Sequence, residues 1–138
     1  MSVMIKKVSV VTSELREDCY RIMNEQVGFA GDFYMNVKSM VEIGHWNLFV
    51  AEIDGCVRGF VSGTSYLGRA KIDNLYVDKR FHRMGIGSKL VQAYEEFAED
   101  NGACQLTVQT RPTQQAIAFY QKNGFERAKS SYLMQKTL

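Results

Sequence analysis

Apolar positions along this chain alternate between the two-residue period of strands and the three-to-four-residue period of helices, and the changes of period divide it into elements. Val3 to Val11 reads as a strand interrupted by Lys6-Lys7, which suits a strand with one wet end. Thr12 or Ser13 can cap a first helix, in which Leu15, Cys19, Ile22 and Met23 recur at helical spacing, ending near Gly28. The spacing predicts a second helix over Asp32 to Ile43, with Phe33, Val37, Met40 and Val41 on one side and Gly44 as its stop. The linker between them is apolar and bounded by Gly28 and Gly31.

From Trp46 the pattern becomes β-prone as far as Ile53, Asp54-Gly55 is a two-residue hairpin dipeptide, and Cys56 to Gly63 returns as a second strand. Ser65 to Arg69 turns the chain into a strand over Ala70 to Val77. A helix opened by Gly85 carries Leu90, Tyr94, Phe97 and Ala98 at helical spacing, stops at Asn101-Gly102, and leads to a strand over Cys104 to Thr110. Strand, helix and strand in succession imply a crossover between parallel strands. Pro112 ends that last strand, Thr113 can cap a short helix closed by Asn123-Gly124, and Phe125 to Ala128 and Ser131 to Thr137 read as strand material. The expectation is an α/β fold over residues 1–138 as one domain, with a mixed, partly parallel central sheet of six to seven strands and helices on both faces.

Composition narrows the classes without adding a site. The 138 residues suit one hydrophobic core, and 46% apolar with 23% charged residues is ordinary for a globular protein. A formal charge of +2 gives no footprint for nucleic acid. Cys19, Cys56 and Cys104 are odd in number and show no CxxC spacing, so they read as three small semi-buried hydrophobes, with neither a disulfide framework nor a metal site. No apolar run approaches a membrane span and the N-terminus has no signal-peptide core, so the expected location is cytoplasmic, with no membrane partner.

The candidate chemistry lies where a strand ends, a polar turn comes next, and a glycine-spaced helix begins: Asp73-Asn74-Leu75-Tyr76-Val77, then Asp78 to Met84, then Gly85-Ile86-Gly87-Ser88. The first turn of a helix has unpaired N–H groups and a positive dipole end, so an anion can settle there if the side chains leave room. Gly85 and Gly87 leave it, and Lys79, Arg80, Arg83 and Lys89 cluster nearby. The loop lacks the third glycine of the dinucleotide fingerprint and the Gly-Lys-Ser/Thr ending of a triphosphate loop.

Taken with a second motif, Ala116-Ile117-Ala118-Phe119-Tyr120-Gln121-Lys122-Asn123-Gly124-Phe125, this loop resembles the GNAT superfamily of acetyl-CoA-dependent N-acetyltransferases. Val77, Phe81, His82, Gly85, Gly87 and Leu90 occupy the places of the family's loop, and the likeness is strong over Ile72 to Phe125; Met134-Gln135-Lys136 is similar to the closing strand of many members. The resemblance implies acetyl transfer from acetyl-CoA to a primary amine of a small molecule or peptide. By that analogy the backbone of Leu75, Tyr76 and Val77 holds the pantetheine arm, and His82, Arg83, Met84, Gly85, Ile86, Gly87 and Ser88 hold the pyrophosphate. Tyr120 matches the family's tyrosine beside the thioester sulfur, a general acid for the leaving thiolate. Dimers, common in the family, would form here through the last strand.

This chain also departs from the pattern. His82 replaces a Gln or Arg, Thr113 stands where many members have a cofactor-contacting Asn and reads equally as a helix cap, and Thr107 replaces an occasional catalytic glutamate. The base that takes the amine proton is therefore sought among strand carboxylates, with Asp73 and Glu52 as candidates and His45 as a loop residue. Phe29, Phe33 and Tyr34, with Asp32, could line an acceptor site for an amine with an apolar body, although aromatics at that spacing also read as core. The alternative function is a non-catalytic acyl-CoA-binding sensor or interaction module, suggested by the changes at Thr107 and His82.

Overall fold

The computed structural model describes residues 2–128 and 134–138. Five strands form one sheet in chain order: β1 (Val3–Val8), β2 (Asn47–Ile53), β3 (Cys56–Tyr66), β4 (Arg69–Val77) and β5 (Gln105–Val108). The first four pair antiparallel, and β5 joins β4 in parallel after the helix between them. The helices are α1 (Ser13–Val27), α2 (Gly31–Glu42), α3 (Ile86–Asp100) and α4 (Gln114–Lys122). Two tight turns have the left-handed residues that a two-residue hairpin needs: Asp54-Gly55 (φ 53° and 79°) and Leu67-Gly68 (φ 48° and 78°). The second turn extends β3 to Tyr66, beyond the predicted Gly63.

The sheet has five strands among the described residues, fewer than the six to seven expected. Phe125–Ala128 and Met134–Leu138 carry no strand, and the rest of the last expected strand lies outside the described residues. The first strand stops at Val8, three residues early, because the chain there turns to bury Val11, whose N–H donates to Glu42 Oε2 (2.9 Å).

Alternation along β2 distributes two cores. Leu48 and Val50 join Val57 and Phe60 beneath α1 and α2, where Cys19, Ile22, Phe33, Val37 and Val41 point inward. Phe49, Ala51 and Ile53 face the other way and meet Val61, Ile72 and the Ile86, Leu90, Val91 and Tyr94 stripe of α3. The expected helices on both faces are present. Of the cysteines, only Cys19 is buried, its thiol pushed up to about 12 by burial; Cys56 and Cys104 are exposed, contrary to the semi-buried reading.

Two β-bulges interrupt the regular pairing. Glu52 pairs with Val57 and Ala51 with Gly59, leaving Arg58 as the extra residue of β3. Ser62 pairs with Asn74 and Gly63 with Ile72, leaving Asp73 as the extra residue of β4. At the second bulge a Cβ on Gly63 would lie 2.1 Å from the Lys71 carbonyl and 2.5 Å from the Tyr94 hydroxyl, which donates to Thr64 O. Gly63→Ala is therefore expected to cost about 3 kcal/mol or more and to lower the Tm by many degrees. A thermal melt within a degree of the parent would contradict this packing.

Candidate active site

The second bulge lies where the sheet opens. β4 pairs with β5 only from Arg69–Gln105 to Ile72–Val108, whereas its pairing with β3 continues to Val77. Among the described residues, 73–77 of β4 therefore have a free edge on the β5 side. The Asp78 N–H turns back to the Arg58 carbonyl of β3 (2.8 Å), so by strand parity the backbone of Tyr76 also faces β3, while Leu75 and Val77 face the open edge. Tyr76, expected to contribute backbone groups with its neighbours, presents its side chain instead: its ring lies 5.9 Å from that of Phe60.

The Val77 carbonyl is already engaged. It accepts from Gln26 Nε2 of α1 (2.9 Å) and contacts His82 Nε2 (2.8 Å), which uses both lone pairs. His82, expected at a phosphate, thus folds back onto the strand end. The free-edge groups left for an amide-rich arm are the N–H and C=O of Leu75 and the N–H of Val77.

Beyond the strand end a 3-10 turn, Lys79–Phe81, leads to Gly85, the N-cap of α3. Gly85 is left-handed (φ 76°), and no atom lies within 4 Å of the place its Cβ would take. The first helical bond is Lys89 N–H to the Gly85 carbonyl. The N–H groups of Arg83, Met84, Gly85, Ile86, Gly87 and Ser88 find no acceptor among the described residues. Such a run at a helix N-terminus beside a free strand edge fits a pyrophosphate joined to an amide-rich arm.

The side chains of this turn are less uniform than its backbone. Arg83 is left-handed (φ 67°), a conformation that costs an arginine roughly 1 kcal/mol. Ile86 is core, Gly87 lies against the Phe119 ring, and Ser88 Oγ accepts from Asn123 Nδ2 (3.2 Å), so α4 is held to α3. Lys89 lines a groove between α3 and β1, away from the turn. Arg80 is engaged by Asp78, which leaves Lys79 and Arg83 as the unpaired cations of the cluster among the described residues.

Asp78 is 1% exposed and anchors the turn. Its carboxylate accepts from Arg80 Nη2 (2.9 Å), Nε (3.2 Å) and backbone N–H (3.0 Å), and lies 3.5 Å from Arg58 Nη1 and 3.7 Å from Arg21 Nη1. The bonds from Arg80 hold its carboxyl down at about 2. A lowered carboxylate pKa stabilises the fold above the unfolded value of about 3.9, and the contribution disappears as pH falls through 4 toward 2. It amounts to about 2–3 kcal/mol, so acid unfolding followed by circular dichroism should be shallower in Asp78→Asn over that window.

On the far side of the opening, Thr113 caps α4 by accepting from the Ala116 N–H (3.2 Å), the cap reading of that residue. Gly124 (φ 90°) closes the helix and the Phe125 N–H returns to the Tyr120 carbonyl (3.0 Å). That closure brings Phe125 edge-on to the Tyr120 ring (5.4 Å), with Phe119 edge-on at 5.0 Å. Burial, and to a smaller degree the neighbouring Tyr76 phenol, push the Tyr120 phenol above its ordinary value. Burial likewise raises the Tyr76 phenol, with Arg111 opposing. The charge of each group is thus felt at the next: the Tyr76 phenol acts on that of Tyr120, and Arg111 on that of Tyr76.

Asp73, at the bulge, lies 3.7 Å from Lys71 Nζ; burial raises its carboxyl, with Lys71 opposing. Glu52 is paired to Lys6 (2.8 Å) across β1 and β2, remote from the split. Of the expected acceptor residues, Phe33 is core, stacked on Trp46 (5.8 Å) and against Phe60 (5.1 Å), where no acceptor can reach it. Tyr34 donates to Glu17 (2.7 Å) and packs on Arg16 and Tyr20, whereas Phe29 and Asp32 are exposed. Among the described residues no group of three His, Cys, Asp or Glu side chains could hold a metal ion, and no helix is long and apolar enough to cross a membrane.

Gln26, Arg58, Asp78 and Arg111 were not singled out by the sequence. An acid directly after the strand's last apolar residue was the one available signal, for Asp78, but its burial depends on arginines 20 and 57 residues upstream.

Comparison with known proteins agrees with this architecture. A family model described as acetyltransferase (GNAT) family matches residues 13–125. An uncharacterized N-acetyltransferase of Methanocaldococcus jannaschii is 30% identical over 94 residues, 63% of this chain and 60% of that protein. A probable N-acetyltransferase family 8 member of Mus musculus is 34% identical over 90 residues, 60% of this chain and 40% of that one. The chain thus spans about half the length of these relatives. In fold, the aminoglycoside acetyltransferase AAC(6')-Iy, solved with a bisubstrate CoA analog, superimposes with a TM-score of 0.80 at 18% identity over the whole of both chains. With its matched family model, its split sheet and its free N–H turn, the chain belongs to the acetyltransferase (GNAT) family.

Proposed function

We propose that this protein transfers an acetyl group from acetyl-CoA directly to a primary amine of a small molecule or peptide. The observation that carries the reading is the free β4 edge at Leu75 and Val77 running into the unpaired N–H groups of Arg83 to Ser88. The edge suits the two amides of pantetheine and the turn suits the pyrophosphate.

In such a transfer the amine nitrogen bonds to the acetyl carbon, the carbon–sulfur bond breaks, and the thiolate takes a proton while the nitrogen loses one. Tyr120, kept protonated by burial and oriented by Phe119 and Phe125, is the donor to sulfur. Asp73, whose position at the bulge re-aims its side chain and whose burial makes it more basic, is the acceptor of the amine proton, directly or through water. Phe29 is the acceptor-side contact that survives from the α1–α2 linker. Thr113 contributes by fixing the start of α4.

Family membership favours catalysis over binding alone. The test is thiol release from acetyl-CoA over a panel of polyamines, aminoglycosides, amino acids and short peptides. Release that depends on an amine, with the acetylated amine as product, is expected. CoA binding with no amine-dependent release across the panel would replace the enzyme by the acyl-CoA sensor.

A further inference from the structure

We infer that Asp78 is a positioning residue for the cofactor pyrophosphate: it holds the turn that presents the N–H groups of Arg83 to Ser88, without itself touching a ligand. This role presupposes that the protein binds acetyl-CoA as proposed. Two elements distant in sequence and the turn itself converge on its carboxylate: Arg21 from α1, Arg58 from the β3 bulge, and Arg80 two residues on. Its backbone is bound as well, through its N–H to the Arg58 carbonyl (2.8 Å) and its carbonyl to the Phe81 N–H (2.8 Å). Arg58 adds a cation–π contact to Phe81, 4.6 Å from the ring centre.

The turn is therefore fixed along most of its length before any ligand arrives. Gln26 and His82 pin its start at the Val77 carbonyl, and Asp78 pins Arg80 and Phe81. What remains unpaired among the described residues is the run of N–H groups from Arg83 to Ser88. A buried carboxylate with several hydrogen bonds is strongly held, and removing its charge leaves guanidiniums without their counterpart. The consequence falls on the geometry of the turn, and misplacement of donors by about 1 Å can cost up to about 100-fold.

The test compares wild type with Asp78→Asn, which keeps the size and one oxygen but not the charge. Calorimetry with CoA and steady-state kinetics with acetyl-CoA should show Kd and KM each raised roughly tenfold, with kcat within about twofold. With S-acetylpantetheine, a donor that has no pyrophosphate, the two proteins should have kcat/KM within about twofold. That selectivity separates positioning from general loosening of the fold. Arg80→Gln, in which the side chain removed is largely exposed, should change in the same direction and decides the matter if Asp78→Asn does not fold. Unchanged CoA affinity in the folded variant, or an equal loss with acetylpantetheine, overturns the role of Asp78 while wild-type CoA binding leaves the acetyl-CoA reading standing. No CoA binding by folded wild type overturns both.

Discussion

Gly85→Leu should abolish CoA binding in a protein that still folds. Gly85 caps α3 in the left-handed region, and its missing side chain faces open space rather than protein. A leucine there meets two separate penalties. Its backbone conformation costs about 1–2 kcal/mol, which lowers the melting temperature but is small beside the 5–15 kcal/mol of a typical domain. Its side chain then projects into the place where an anion must approach the N–H groups of Arg83 to Ser88, and no protein atom can move aside to relieve the contact. Affinity for CoA should fall more than about 100-fold, close to 3 kcal/mol or beyond. Gly85→Ala separates the penalties, since it carries nearly the same backbone cost with little bulk. Calorimetry should place alanine between wild type and leucine. CoA affinity unchanged in the leucine variant would move the pyrophosphate away from this turn.

Tyr120→Phe should leave cofactor binding intact and lower turnover about 100-fold, the lower range for loss of a general acid. Phenylalanine keeps the ring between Phe119 and Phe125, so α4 and its contact with Gly87 should be undisturbed. Only the proton is lost. KM for acetyl-CoA should therefore stay within about twofold while kcat falls, the signature of an interaction made in the transition state. Burial raises the Tyr120 phenol above its ordinary value near 10, so it remains protonated through the neutral and mildly alkaline range. The wild-type rate should show no alkaline decline below pH 10 that phenylalanine removes. Full kcat in the variant would transfer the acid role to another group, with the Tyr76 phenol, which acts electrostatically on Tyr120, as the first to test.

Most of the fold was legible because its elements are local. Asp54-Gly55 announces its hairpin, Thr12 and Thr113 cap their helices, and the period changes locate β2, α3 and α4 to within a residue or two. The shortness of β5 was not legible, because its end at Val108 is set by β4 leaving it at the Asp73 bulge, a feature of pairing rather than of either segment alone. The phosphate turn could be read in outline from its glycines. Its working parts could not: Phe33 looks like an acceptor aromatic in the sequence and is claimed by Trp46 and Phe60, while His82 is drawn back to the Val77 carbonyl. Gln26 and Asp78 act across 51 and 57 residues of sequence, on Val77 and through Arg21 respectively, and nothing local in either segment marks them.

Acceptor chemistry, acid catalysis and the role of Asp78 all depend on the donor site, and titration of CoA into the folded wild-type protein by calorimetry tests that site most directly. Saturable binding of one CoA per chain is expected, weakened when pantetheine without the pyrophosphate is used in its place. A folded sample that takes up no CoA, or that binds pantetheine as tightly as CoA, would contradict a pyrophosphate seat at the N-terminus of α3.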